Sequence, residues 1–377
     1  METVLHIDSA KTWRGGQQQV LYLAQRLTDY HNIITCPPES PLAERARATG
    51  LKVFPIEMRG EWDLLAVCKL GKIIRKNSIR IIHLHSPHAH ALGLLAAKSG
   101  GNCKVILSRR VDFPIKKNLL SRLKYLNVDR IIAISERVKR VLVADGLSEE
   151  KIDVVYSGID IDRFQNVKGD HLISELALNT HKLRIGNIAA LAWHKDHKTL
   201  IEAARVVVDE FPQVIFLIAG EGPLRREIET LIKKFNLQEN VKLLGFRQDI
   251  PEVLSILDLF VLSSSWEGLG TSLLDAFASR VPVVSTNVGG IPEIVKDGVN
   301  GILVPPGNPD ALAGAIISLL KNRDLAGRIA EQGFRLVNKK FSIEKMVQDT
   351  KKIYDRLAVG GKAHALLPQK GNVAAER

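Results

Sequence analysis

Along most of this chain, short runs of apolar, β-branched residues alternate with longer stretches of helical period. The runs VLHI (4–7), NIITC (32–36), KVFPI (52–56), IRIIHL (79–84), KVILS (104–108), RIIAIS (130–135) and DVVYSG (153–158) predict strands. Patterns such as QQQVLYLAQRL (17–27) and LLAVCKLGKIIRKN (64–77) predict helices between them. Apolar strands separated by helices imply a parallel sheet covered on both faces. Right-handed crossovers then wind the chain to both sides of that sheet.

The rhythm breaks from Gly158 to about Leu183, where IDIDRFQNVKGDH is polar and lacks a clear period, and the domain linker is placed there. It restarts with LRIGNIAAL (183–191), VIFLIAG (214–220), VKLLGF (241–246), LFVLSS (259–264), VPVVST (281–286) and NGILV (300–304). The expected fold class is α/β, with two Rossmann-like doubly wound parallel-sheet domains over 1–165 and 170–341. A helix is expected over 342–357, and the Gly/Ala/Lys-rich stretch 358–377 reads as a frayed tail. Ligands of such sheets bind outside the carboxyl ends of the strands, so the two domains are expected to face a common cleft.

Composition narrows the class. The 377 residues are 45% hydrophobic and 25% charged, a globular balance. No apolar run reaches the ~18–20 residues of a membrane span. METVLHIDSAKTW reads as an immediate first strand rather than a secretory signal, and Cys36, Cys68 and Cys103 suit reduced thiols of a cytoplasmic protein. Net charge is +12, and residues 1–165 hold 26 of the 53 bases against 17 of the 41 acids. The first half therefore suits an anionic partner: nucleic acid, an acidic membrane surface or a phosphorylated acceptor. No aromatic nucleic-acid stripe, helix-turn-helix or zinc finger accompanies the charge, which argues against nucleic acid.

Two turns carry candidate chemistry. Gly15-Gly16 stands between a strand and a helix, where glycine admits close approach and the helix N-terminus favours anions; the pair equally suits a tight turn. It is not GxGxxG, so a dinucleotide is not indicated. The second is SSSWEGLGTSLLDAFA (263–278). Here Glu267, Gly268 and Gly270 precede a helix starting near Thr271. The N–H groups of Gly270, Thr271 and Ser272 can hold a diphosphate without metal. Glu267 can reach sugar hydroxyls, and Asp275, one turn inside, can accept from ribose hydroxyls. A capped helix with an ordinary acidic face would read the same way.

This block resembles the E-x7-E motif of retaining GT-B glycosyltransferases of family 4, standing here as E-x7-D. VPVVSTNVGGIPEIVKDGVNGILVPPGNPDALAGAI (281–316), IAGEGPLR (218–225), LLGFRQDI (243–250), GIDIDRF (158–164) and GGQQQVLYLAQRL extend the resemblance from residue 2 to about 357. It is specific in the second half and looser in the first. It implies a donor-binding C-terminal domain, an acceptor-binding N-terminal domain, and a final helix that packs back on the latter. Glu267 would contact the donor sugar and Asp275 the ribose. Gly220, Gly222, Phe246 and Arg247 would border the base, and Gly15 and Gly16 the donor phosphates. No catalytic metal or other cofactor would be needed.

The sequence departs from the family at two places. In NIAALAWHKDHKTL (187–200), Lys195 fits the family's lysine, but Ala190 stands where an arginine is usual. Stabilisation of the leaving group then falls to Lys195 with His194, His197, Arg109 or Arg110. In SRRVDF (108–113), Arg110 stands near a usual histidine. Arginine cannot act as a base but binds phosphate bidentately, so the segment reads as an anion or acceptor clamp; a basic surface turn paired with Asp112 is the alternative.

Two further stretches stand apart. IIHLHSPHAHALG places His83 and His85 at a strand end with His88 and His90 following. A polar lining on the acceptor side, through His85 and His88 with Arg109, is preferred over a metal cluster, because no nearby Cys or Asp completes a ligand set. KKNLLSRLKYLN (116–127) can lie on an anionic membrane, or form a core helix with a solvated face. The combined expectation is a nucleotide-sugar transferase acting on a glycan or lipid-linked acceptor, with retention. It would serve lipopolysaccharide or other envelope-glycan synthesis and contact the inner face of the membrane peripherally. A sugar-nucleotide epimerase of the same fold and a non-catalytic nucleotide-sugar binder are the alternatives.

Overall fold

A computed structural model describes residues 1–116, 118–178 and 183–363, with side chains through 358. Lys117 and the tail from 364 onward lie outside the described residues. In chain order the first half forms β1 (Thr3–Ile7), α1 (Gly15–Arg26), β2 (His31–Cys36), α2 (Pro41–Ala48), β3 (Lys52–Pro55), α3 (Leu64–Lys76) and β4 (Ile81–Leu84). It continues with α4 (Pro87–Gly100), β5 (Lys104–Arg109), α5 (Leu119–Leu126), β6 (Arg130–Ala133), α6 (Glu136–Ala144) and β7 (Ile152–Val154). The second half forms α7 (Asp170–Glu175), β8 (Arg184–Ile188), α8 (His197–Glu210), β9 (Ile215–Ala219), α9 (Arg225–Lys234), β10 (Val241–Gly245), α10 (Ile250–Ser255) and β11 (Leu259–Leu262). After it come α11 (Thr271–Ala278), β12 (Val283–Thr286), α12 (Ile291–Ile294), β13 (Ile302–Val304), α13 (Pro309–Lys321), α14 (Arg323–Lys340) and α15 (Ile343–Ala363).

The strands build two sheets, β3-β2-β1-β4-β5-β6-β7 and β10-β9-β8-β11-β12-β13. The described registers are parallel, as in Val4↔Ile81 and Phe260↔Val283. Each sheet grows outward for three strands and then returns beside its first. The order therefore reverses at β1/β4 and at β8/β11, the switch points where such sheets bind ligands. Strands such as β4, β9 and β11 are buried throughout, which is why they lack the alternation of a one-sided sheet.

By packing, the chain falls into two units. One holds Met1–Ser108, Asn118–Ile132 and the described residues from Met346 onward. The other holds the described residues of 109–117 and 133–345. Residues 133–158 thus supply β7 to the seven-stranded sheet yet pack within the second unit. In the first unit, α15 places Tyr354 against His83 (Nδ1 to OH, 2.6 Å) and Asp355 against Tyr30, whose hydroxyl donates at 2.6 Å.

Three expectations need correction. The stretch around the domain linker, read as lacking a clear period, contains α7 at the start of the second domain, and its Leu172 is fully buried among Leu176, Leu217 and Val253. Surrounding polar residues masked that short apolar stripe. The last helix runs to Ala363, six residues into the stretch read as a frayed tail. Finally, α5 is not a core helix. Its Leu119, Leu120, Leu123 and Leu126 are exposed, and the buried residue is Tyr125, which meets His90 edge-on at 4.9 Å.

Candidate functional site

The β8/β11 switch point is built from two loops stitched together by backbone. After β8 the chain makes a 3₁₀ turn, Trp193–Lys195, and Asp196 takes a left-handed conformation (φ 47°). Its carboxylate caps α8, accepting from the Thr199 N–H at 3.3 Å and hydroxyl at 2.7 Å. After β11, the N–H groups of Ser265 and Trp266 donate to the His194 carbonyl at 2.9 and 3.3 Å. The Ser263 hydroxyl donates to the Lys195 carbonyl at 3.0 Å. Lys195 is thereby aimed at Glu267, and the two form an ion pair. The Ser264 hydroxyl donates to the same Glu267 oxygen at 2.9 Å. The side chains of Lys195 and Glu267 are only 18% and 10% exposed, so the pair is shielded without being sealed.

Beside the pair starts α11. Gly270 precedes it with φ 86° and supplies no side-chain cap, so first-turn N–H groups lack helical partners. Thr271, Ser272 and Asp275 lie half-buried along that turn. Burial pushes the Asp275 carboxyl up to about 7, against a smaller opposing effect of Arg163. The Glu267 loop is backed by a second glycine turn. Gly289 has φ 56°, and a Cβ there would fall 1.8 Å from the Glu267 carbonyl oxygen. Gly290 N–H donates to that oxygen at 3.1 Å.

Residues 109–113 belong to this unit. The Arg110 carbonyl oxygen lies 2.5 Å from where a Cβ on Gly268 would stand, so this approach needs glycine. Phe113 stacks obliquely near Trp266 and Trp193, with ring centroids at 5.2 and 6.2 Å. Asp112 is buried, and burial raises its carboxyl above the usual range, against smaller opposing effects that include Arg137 and Arg109. Arg109 donates to the Phe113 carbonyl and so braces the segment. Nearby, Glu293 of α12 accepts from the N–H groups of Glu136 and Arg137 at 2.8 and 2.7 Å, an acidic cap on α6.

Other named residues stand elsewhere. Gly220 and Gly222 let the backbone pass under the β8 loop, where a Cβ would fall 1.9 Å from the Ala189 oxygen and 2.3 Å from the Leu191 oxygen. Phe246 is half exposed after β10. Arg247 is engaged by Asp249 and by Glu175 of α7 at 2.8 Å, tying the linker helix to that loop. His197, weighed as a replacement cation, is buried. Burial first, and Lys195 next, lower it to about 4, so it is neutral at pH 7 and supplies no charge.

At the β1/β4 switch point the chemistry is different. His6 and His83 are register partners, and His85 follows β4. The three imidazoles converge with nitrogens within 4.8 Å of one another, a spacing that could hold a metal ion. Protein groups engage both nitrogens of His6 and of His83, and Nε2 of His85: His6 with His85 at 3.2 Å and Asn32 at 3.0 Å, His83 with Tyr354 at 2.6 Å and Ser108 at 2.8 Å. Burial lowers His6 to about 4, so the network is neutral there. His85 is buried within it, whereas His88 is exposed on the first turn of α4. Gly15 and Gly16 form the first turn of α1, which also starts without a side-chain cap.

Sequence reasoning thus picked Glu267, Lys195 and the α11 turn, which the structure assembles. It missed Ser264, Gly289, the aromatic trio and His6. The serine run and the GG of NVGG were visible signals, but their partners are distant in sequence.

Comparison with known proteins agrees with this geometry. The family models described as Glycosyltransferase Family 4 and Glycosyl transferases group 1 match residues 13–163 and 170–336. The chain is 27% identical to the UDP-Gal:alpha-D-GlcNAc-diphosphoundecaprenol alpha-1,3-galactosyltransferase of Escherichia coli, over 79% of this chain and 80% of that one. It is 30% identical to an uncharacterized glycosyltransferase of Methanocaldococcus jannaschii, over 80% and 83%. The crystal structure of Anabaena HepE with UDP and glucose superposes with a TM-score of 0.85 at 20% identity, over 94% of this chain and all of that one. The chain is therefore a glycosyltransferase of the GT-B fold and belongs to glycosyltransferase family 4.

Proposed function

We propose that this enzyme transfers a glycosyl group from a nucleoside-diphosphate sugar to a glycan or lipid-linked acceptor, with retention of anomeric configuration. The observation that carries the reading is the Lys195–Glu267 pair beside the uncapped start of α11. Lys195 and the first-turn N–H groups of Thr271 and Ser272 hold the diphosphate, so its charge is met by protein rather than by a metal. Arg109 and Arg110 take up the neutralisation that Ala190 does not give. Glu267 accepts from donor-sugar hydroxyls, and Asp275 from the ribose.

Glu267 already receives Lys195 and Ser264, which favours a hydroxyl acceptor over a covalent nucleophile. The bond from the anomeric carbon to the diphosphate breaks as the bond to the acceptor oxygen forms on the same face. The acceptor's proton passes to the departing phosphate oxygen. In the first unit the acceptor side is assigned to His88, with His85 just before α4 held in the imidazole network. The Escherichia coli relative's diphosphoundecaprenol acceptor supports a lipid-linked substrate and a place in envelope-glycan synthesis at the inner membrane face.

The test is a panel of UDP-, GDP- and ADP-sugars. The matching donor should raise the melting temperature, since it binds only the folded chain. Nucleoside diphosphate should then be released only when acceptor is present, and the product's anomeric proton coupling should match the donor's. Conversion of the donor into an isomeric nucleotide-sugar with no net release of nucleoside diphosphate would favour an epimerase of the same fold, stabilisation without turnover a sugar-nucleotide binder, and an inverted product would remove retention.

A further inference from the structure

We infer that Trp193, Phe113 and Trp266 form an aromatic platform that stacks against a pyranose ring of the acceptor. This rests on the transferase reading and deepens it by naming a sugar subsite in the second unit. The three rings come from three loops of that unit and stand in a row. Phe113 is in the middle, its centroid 6.2 Å from that of Trp193 and 5.2 Å from that of Trp266, with planes tilted by 31° and 35°. Tryptophan is highly buried on average, yet Trp193 is 62% and Trp266 38% exposed. The loops hold the rings in place. The N–H groups of Ser265 and Trp266 donate to the His194 carbonyl, and the His194 ring meets Trp193 edge-on at 5.5 Å. Arg109 donates to the Phe113 carbonyl, and Gly268 admits the Arg110 backbone that brings Phe113 to Trp266. An exposed aromatic row on braced loops marks an interaction surface.

Position and chemistry select the occupant. Each of the two tryptophan loops keeps a ring outward and a charge inward: Trp193 with Lys195 on one, Trp266 with Glu267 on the other. The inward pair is where the donor is assigned. Transfer needs the acceptor hydroxyl beside the donor's anomeric carbon, so a ring that arrives from solvent next to Glu267 is the acceptor's. A pyranose has a face of C–H bonds and a rim of hydroxyls. Indole and phenyl faces suit the first, and the half-buried polar neighbours Arg110 and His194 suit the second. A hydrocarbon chain laid on the same row would cover those polar groups without hydrogen-bonding them.

The test uses the full chain and, as probes, the methyl α- and β-glycosides of glucose, galactose, mannose and N-acetylglucosamine. Saturation of the protein's aromatic protons should pass to the C–H protons of at least one glycoside, more strongly on one face of its ring. Trp193→Ala should weaken that glycoside about tenfold at an unchanged melting temperature, and Trp193→Phe should keep most of the affinity. Affinity for UDP, GDP or ADP, whichever the wild type binds, should stay within about twofold in both variants. Absence of transfer to every glycoside, or transfer that Trp193→Ala leaves unchanged, would overturn the inference. So would a loss of nucleoside diphosphate in place of glycoside, which would make the row a base-stacking surface. Because nucleotide and glycoside are read separately, a platform that fails leaves the transferase reading standing. A wild-type chain that binds a glycoside but no nucleoside diphosphate would overturn that reading, and this one with it.

Discussion

At β8/β11 two loops meet through a lysine and a glutamate; at β1/β4 they meet through imidazoles and hydroxyls, with Ser9 and Ser86 bonded at 2.7 Å. The topology is the same, since both are the place where strand order reverses. The chemistry differs because the environment does. A shielded ion pair loses hydration that its mutual attraction only partly returns, so it is poorly explained by stability alone. An imidazole network in which both nitrogens of His6 and His83 are held by neighbouring side chains is a good packing solution and a poor catalytic one. The charged switch point is therefore assigned to chemistry and the imidazole one to support.

The sharpest way to break this comparison is Glu267→Ala. Transfer should fall by about a hundredfold or more while the fold persists, because the interaction lost acts on the reacting sugar. Near wild-type turnover by a folded variant would move the chemistry away from β8/β11. His83→Phe should do the opposite. It removes bonds to Ser108 and Tyr354 and should cost roughly 2–4 kcal/mol of stability in denaturant titrations. If its stability is unchanged and only turnover falls, the imidazole site is catalytic after all.

A pH titration sharpens the same contrast. His6 and His197 titrate near 4 when folded and near 6.5 when unfolded, so protonation favours the unfolded chain. Their contribution is complete above about 6.5 and is lost as pH falls toward 4, by roughly 3 kcal/mol for each. His6→Gln should flatten the fall of melting temperature over that window; an unchanged slope would show that His6 is not the titrating group. Asp275 has the reverse sign. Its carboxyl is raised to about 7, so stability declines as pH rises from about 4 to 7. Asp275→Asn should raise the melting temperature at pH 8 by a few degrees and weaken nucleoside binding. A variant that binds nucleoside normally would remove the ribose role.

Lys195→Ala should give the smallest effect, about tenfold weaker binding of a nucleoside diphosphate and little change for the nucleoside. Calorimetry showing equal losses would place the lysine off the phosphates. Asp275 and Lys195 together then test whether the charged switch point holds both ends of the nucleotide.

The sequence by itself determined the two-sheet plan, because buried parallel strands read as unbroken apolar runs and their order follows from short right-handed crossovers. It also determined the α11 turn, since Glu267, Gly270 and Asp275 lie within one local stretch whose helix start is written in the chain. It did not determine Lys195–Glu267 as a pair, Glu293 as the cap of α6, or His6 as the partner of His85, whose residues are 72, 157 and 79 positions apart. The first and last of these contacts exist because strands distant in sequence, β8 and β11 or β1 and β4, are neighbours in one sheet. Nor did periodicity reveal which side of α5 faces inward: Leu119, Leu120 and Leu123 have the spacing of a core stripe, but packing on α4 is taken by Tyr125. Apolar period marks a face; only the tertiary structure decides whether protein or something else covers it.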